Sequence, residues 1–336
     1  MIIELVKILF VFGLVMGMVP ILVYAERRIS AGIQGRLGPN RVGPFGLLQP
    51  IADMVKLMFK EDLVPRDVDR PLHTIAPLLV FIPPALVFSV IPFGNKIQIA
   101  GREVTLQIAD LNIGILFALA ILSMSVYGLA FGGWASNNKY SLMGGVRSSA
   151  QMISYELILG LTVVTVIMVS GSVRMQEIVM QQSGGVLDWN IFRLPLGFLL
   201  FFIAAFAENN RLPFDLPEAE PELVAGYHTE YSGMKFSLFF MGEYIAMVTM
   251  SAIMVTLFLG GWSMPGLVDP HSSSLLGGLL SVGVFVIKMC IILFIYIWVR
   301  WTLPRFRWID LMQLGWKVLL PLALINLMVT GVVLNL

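Results

Sequence analysis

The sequence predicts an all-α integral membrane protein: eight transmembrane helices plus an interfacial amphipathic helix after the first span. Composition, run length and charge segregation all point that way. Of 336 residues, 57% are hydrophobic and only 13% charged, whereas a soluble domain carries about 25% charged residues. So little charge does not cover a water-soluble globule of this length. Uncharged stretches close to the ~20 residues that cross a hydrocarbon core recur along the chain. Sixteen of the 22 Lys and Arg residues also fall in one set of alternating connections. The same composition excludes other classes. The single cysteine, Cys290, builds no disulfide framework, the apolar content rules out disorder, and a net charge of +1 leaves no basic surplus for nucleic acid.

Taken in order, the spans of this single membrane domain (1–336) are expected near residues 5–25, 74–93, 111–135, 150–173, 191–209, 236–262, 275–301 and 313–335. The first lacks a basic stretch followed by a small-residue cleavage site, so it is read as a span and not a signal peptide. Its Gly13 and Gly17 have the GxxxG spacing that packs helices. Pro77, Pro83, Pro84 and Pro92 predict a bent second span, tolerated by its neighbours. The fifth apolar run is short, and Arg193 and Glu208 at its ends extend it by snorkelling. Segments 26–73, 133–150, 208–235 and 300–317 hold most of the Lys and Arg. They are therefore placed on the cytoplasmic or matrix side, with both termini outside.

Two of these inward segments are unusual. In the first, Gly35, Gly38, Pro39, Gly43, Pro44, Gly46 and Pro50 punctuate a tightly turned chain. From Pro50 to about Asp62 a helical pattern follows, with Asp53, Lys56 and Lys60 on one side and Ile51, Val55, Met58 and Phe59 opposite, the signature of a helix lying in the interface. The second, 208–235, concentrates Glu208, Asp215, Glu218, Glu220, Glu222 and Glu230, with Arg211 and the distal Lys235 as its cations. Clustered carboxylates with little compensation raise and couple one another's pKa values, which suits them to hold and pass protons near neutrality; the plainer reading is a hydrated acidic face. Glu156 and Glu243 lie inside the fourth and sixth spans. A carboxylate within a span is expensive unless paired or wetted, which marks both as functional candidates; Lys288, inside the seventh, is a counter-ion or relay candidate. A structural pairing of either glutamate with Lys288 or a tyrosine hydroxyl is the alternative. No Walker A motif, dinucleotide fingerprint or cysteine cluster is present, and His73, His228 and His271 are isolated. No redox centre or metal site is expected in this chain.

Several of these stretches carry a family resemblance. Residues 26–56 (ERRISAGIQGRLGPNRVGPFGLLQPIADMVK) and 213–226 (PFDLPEAEPELVAG) are similar to the two signatures of the H subunit of proton-translocating NADH:quinone oxidoreductase, respiratory complex I. Residues 134–137 (WASN), 154–156 (SYE) and 304–307 (PRFR) match it further. The resemblance covers essentially the whole chain. It implies a subunit that docks the peripheral redox arm, forms the access tunnel for a lipid quinone and couples quinone reduction to proton translocation. Flavin and iron–sulfur clusters would then belong to partner subunits, namely the quinone-site and iron–sulfur subunits of the peripheral arm, with small membrane subunits as neighbours. By the family pattern Arg27, Arg36, Asp53 and Arg305 line the quinone tunnel. Glu156, Glu208, Asp215, Glu218, Glu220, Glu222, Glu230 and Glu243 match the carboxylates of the proton path. A bacterial plasma membrane is implied, or an organelle's inner membrane. A homologous proton-path subunit of a membrane-bound hydrogenase or formate hydrogenlyase is the first alternative, and a stand-alone transporter the second. The chain departs from the family at Asp310, which stands one residue later after PRFR than the usual aspartate. On a helix that shift turns the carboxylate by about 100°, so Asp310 inherits no role.

Overall fold

A computed structural model describes residues 2–99, 102–217, 220–270 and 274–335. It is an all-α membrane protein. The long helices are α1 (Ile2–Ile33), α3 (Arg70–Val87), α4 (Gly114–Ala135), α5 (Lys139–Ser170), α10 (Gly233–Phe258) and α11 (Leu275–Thr302). The last stretch runs continuously through α12 (Trp308–Gln313), a π-helical turn (Leu314–Leu319) and α13 (Leu320–Asn335). Between these lie α2 (Gln49–Phe59), α6 (Met175–Gln181), α7 (Asn190–Arg193), α8 (Pro195–Glu208) and α9 (Glu220–Leu223). Among the described residues, seven helices are long and apolar enough to cross a membrane, counting 308–335 as one.

Helix limits differ from the apolar runs for a physical reason. Charge marks where the hydrocarbon ends, but backbone hydrogen bonding continues past it. Thus α1 carries on through Glu26, Arg27 and Arg28, and α5 begins at Lys139 instead of near 150. Capping sets the starts: the Asn138 side chain accepts from the Tyr140 N–H at 2.9 Å, and Ser274 accepts from the Gly277 N–H at 3.0 Å. The span expected at 191–209 is interrupted. Leu194, restricted by the proline that follows, leaves helical geometry (φ −129°, ψ 60°), and α8 is only 14 residues long. The π-helical turn adjoins Pro321, which has no N–H to donate one turn back. A small hairpin, β1 (Ile97–Ile99) with β2 (Arg102–Val104), pairs Ile97 with Val104 and Gln98 with Glu103. It lies in a connection from which the sequence predicted no regular structure.

At the centre stands α10, buried at every residue from Met247 to Phe258. The close helix approaches are not those predicted. A Cβ on Gly13 or Gly17 meets nothing within 4 Å, so among the described residues the GxxxG pair packs against no other helix. On α4, by contrast, a Cβ on Gly128 lies 2.6 Å from Val80 Cγ2 and 2.9 Å from the Ala76 carbonyl of α3. Gly128→Ala is therefore expected to destabilise the fold by about 1–3 kcal/mol through overpacking. Thermal denaturation of the detergent-solubilised protein should show a lowered midpoint for it and none for Gly17→Ala.

Candidate functional site

Two features define the site: an apolar cavity and a buried charge network beside it. The cavity, about 280 Å³, lies where α1, α2 and the start of α10 meet. Val19, Val23, Met54, Leu57, Phe240 and Met241 give it an apolar wall, and Arg27, Asp53 and Lys56 its charge. Arg27 on α1 and Asp53 on α2 meet at 2.5 Å, and Gln49 donates to the other Asp53 oxygen at 3.1 Å. The helix predicted after Pro50 is thus α2, ending at Phe59, with Ile51, Val55, Met58 and Phe59 exposed. Arg36 does not join this pair. It is exposed and donates to its neighbour Gln34 at 2.7 Å. Arg305 also lies elsewhere, paired with Asp215 at 3.2 Å.

One residue before Arg27, Glu26 turns inward and is 6% exposed. Its carboxylate meets Arg300, accepts a 2.6 Å hydrogen bond from the Tyr244 hydroxyl and lies 3.5 Å from Arg211. Arg211, 3% exposed, holds Glu243 at 2.7 Å and lies over the Tyr244 ring at 4.3 Å. Two carboxylates and two guanidiniums thus compensate one another out of water, as buried charge requires. Burial opposes the Arg211 charge, yet Glu243, Tyr244 and Glu26 hold its pKa well above the usual arginine value.

From Glu243 the polar path continues. Glu243 and Glu208 border a second cavity of about 30 Å³, enough for a water by the ~10–15 Å³ criterion. Glu208 is 7% exposed, and among the described residues its Oε2 has no hydrogen-bond partner. Glu156, on α5, accepts from the Ser123 hydroxyl. Gln151 fixes this end of α8, its amide donating to the Ala207 and Phe214 carbonyls and to Asn210 Oδ1 at 2.8, 2.9 and 3.1 Å.

The acidic segment is more dispersed than its composition predicts. Three of its carboxylates find partners from outside the segment: Asp215 meets Arg305, Glu222 meets Arg147 at 2.6 Å, and Glu230 accepts from Asn138 at 2.6 Å. Lys235 pairs instead with Asp62 at 2.9 Å. Glu218 lies outside the described residues, as does the side chain of Glu220. Lys288 meets neither intramembrane glutamate; it donates to three backbone carbonyls. His73 is buried in α3 and stacks on Tyr231 at 4.0 Å, while His271 lies outside the described residues. Among the described residues no group of three or more His, Cys, Asp or Glu is placed to hold a metal ion. Glu26, Arg211, Tyr244, Arg300 and Gln151 were not singled out from the sequence as site residues. Glu26 stands in the first signature, but nothing local shows that it points inward.

Fold and site together define a multi-pass, all-α membrane protein in which an ion-paired carboxylate network adjoins an apolar cavity. A family model described as NADH dehydrogenase matches residues 6–331. The second of the numbered H subunits of NADH-quinone oxidoreductase in Geobacter sulfurreducens is 52% identical over 98% of this chain and 95% of its own length. The first of those in Geobacter metallireducens is also 52% identical, over 99% and 97%. NADH-quinone oxidoreductase subunit 8 of Rhodothermus marinus is 51% identical over 91% and 89%. The chain belongs to the H-subunit family of NADH-quinone oxidoreductase.

Removing the Arg211 guanidinium takes a buried cation away from Glu243 and Glu26, which costs about 3–5 kcal/mol for a buried pair. Arg211→Met should therefore lower the thermal midpoint sharply, and adding Glu243→Gln should restore a good part of it. Additive losses in this double-mutant cycle would show that the pair is not coupled.

Proposed function

We propose that this chain is the membrane subunit of NADH:quinone oxidoreductase that docks the peripheral arm, admits a lipid quinone and couples its reduction to proton translocation. The observation that carries this reading is the position of Glu26. Its neighbour Arg27 lines the apolar cavity, while its own carboxylate belongs to the buried network that holds Glu243. The apolar wall suits an isoprenoid tail, and Arg27 and Asp53 form the polar end for a headgroup. Arg36 and Arg305, outside the cavity of this chain, would face a tunnel completed by partner subunits that hold the flavin and iron–sulfur clusters.

Reduction of a quinone draws protons and places negative charge near Arg27. In a low-dielectric interior that charge acts over several ångströms. It weakens the hold of the arginines on Glu26 and Glu243 and favours protonation of one of them. Glu208, across the small cavity, then exchanges a proton with Glu243 through water, and Glu156 continues the route into the membrane. Asp215, Glu218, Glu220, Glu222 and Glu230 act at the entrance of this path. In this reading α8 completes an eighth span, α2 lies in the interface, both termini face outward, and the membrane is a bacterial inner membrane.

In the assembled complex, Asp53→Asn should raise the KM for a short-chain quinone roughly tenfold, in keeping with one charged hydrogen bond of about 1.5 kcal/mol. The kcat should change less. The double variant Glu156→Gln/Glu243→Gln should lower the protons translocated per NADH oxidised. An unchanged quinone KM would overturn the cavity assignment, and full stoichiometry in the assembled double variant would overturn the relay.

A further inference from the structure

The outer end of α10 does not finish as an ordinary helix. Gly260 and Gly261 follow with φ of 70° and 53°, a left-handed geometry that favours glycine. Space enforces the same choice, because a Cβ would stand 2.7 Å from the Trp189 indole nitrogen at Gly260 and 2.6 Å from Val179 at Gly261. The two glycines curl the chain so that the carbonyls of Leu259, Gly261 and Ser263 converge. Into that focus reaches the Lys288 ammonium, at 2.7, 3.1 and 2.6 Å. The Trp189 ring closes a fourth side at 4.2 Å. Lys288 is 8% exposed and near the middle of α11. An ammonium has three donors, and all three are used here.

Unwound carbonyls at a helix C-terminus within a membrane protein are the chemistry that coordinates monovalent cations, and an indole face adds to it. Among the described residues no carboxylate pairs with Lys288. We propose that Leu259, Gly261, Ser263 and Trp189 form a monovalent-cation site that Lys288 permanently fills, and that this tethered ammonium closes the outer side of the chain to protons and small cations. The direction of the seal rests on the topology and coupling proposed above; the cation site itself does not. An empty cage would present three partly negative oxygens to any proton or cation entering from the outer side. Filled, it places the tethered Lys288 amine between that side and Glu243.

The test uses the complete complex, purified and reconstituted in liposomes, with Lys288→Ala and Lys288→Met. Alanine opens the cage; methionine fills it without charge. Lys288→Ala should lose thermal stability, and methylammonium should restore it whereas tetramethylammonium, too large and without N–H groups, should not. Lys288→Met should be as impaired as the alanine variant and deaf to amines. Resting proton permeability, measured without NADH, should rise several-fold in Lys288→Ala and fall again with methylammonium. If Lys288→Ala assembles only when cells are grown with methylammonium, the cage is supported by assembly itself. Native-like Lys288→Met, or Lys288→Ala indifferent to amine in assembly and stability, overturns the cation site. Stability rescued by amine with an unchanged resting leak leaves the site and removes the seal. Neither readout depends on quinone turnover, so failure of the coupling reading would be seen separately.

Discussion

Arg211 is the constraint around which the interior is organised. A guanidinium this deeply buried is tolerable only when carboxylates and ring faces surround it. Glu26 comes from α1, Glu243 and Tyr244 from α10, and Arg300, which completes the set, from α11. One network therefore fixes the relative positions of three long helices and of the loop that leaves α8. The Glu243 carboxylate stands within this network. Its charge is balanced, yet any new charge in the adjoining cavity disturbs that balance directly.

The remaining polar side chains inside the bundle divide into two kinds. Gln151 and Lys288 satisfy backbone groups where helices end inside the protein. Such groups have no water to turn to at membrane depth. Glu208 and Glu156 are of the other kind, since among the described residues neither is enclosed in an ion pair and Glu208 borders a cavity with room for water. The hydrogen bonds of Gln151 and Lys288 tie the irregular ends of α8 and α10 to neighbouring helices.

Helix content, the long apolar elements and a helix at Gln49–Phe59 were legible in the sequence because hydrophobicity and its periodicity report local partition between water and apolar surroundings. The meeting of Arg27 with Asp53 was legible only as shared membership of a signature, since the residues stand 26 positions apart. Acidic-loop composition was misleading for the opposite reason. Counting charges along the segment ignored Arg147, Arg305 and Asn138, which arrive from other parts of the chain. Gly13 and Gly17 show the same limit: the spacing is right, but among the described residues the face they share meets no other helix.

The amino-acid sequence by itself determined that this is an all-α membrane protein of the H-subunit family. Apolar run length and an extended motif are properties of consecutive residues. Tertiary structure alone decided that Glu26 points inward to Arg211, that Glu243 faces Glu208 across a small cavity, and that Lys288 ends in a carbonyl cage. Each of these depends on which helix faces which and at what depth. That arrangement is set by packing among residues far apart in the chain, where buried charges must find partners.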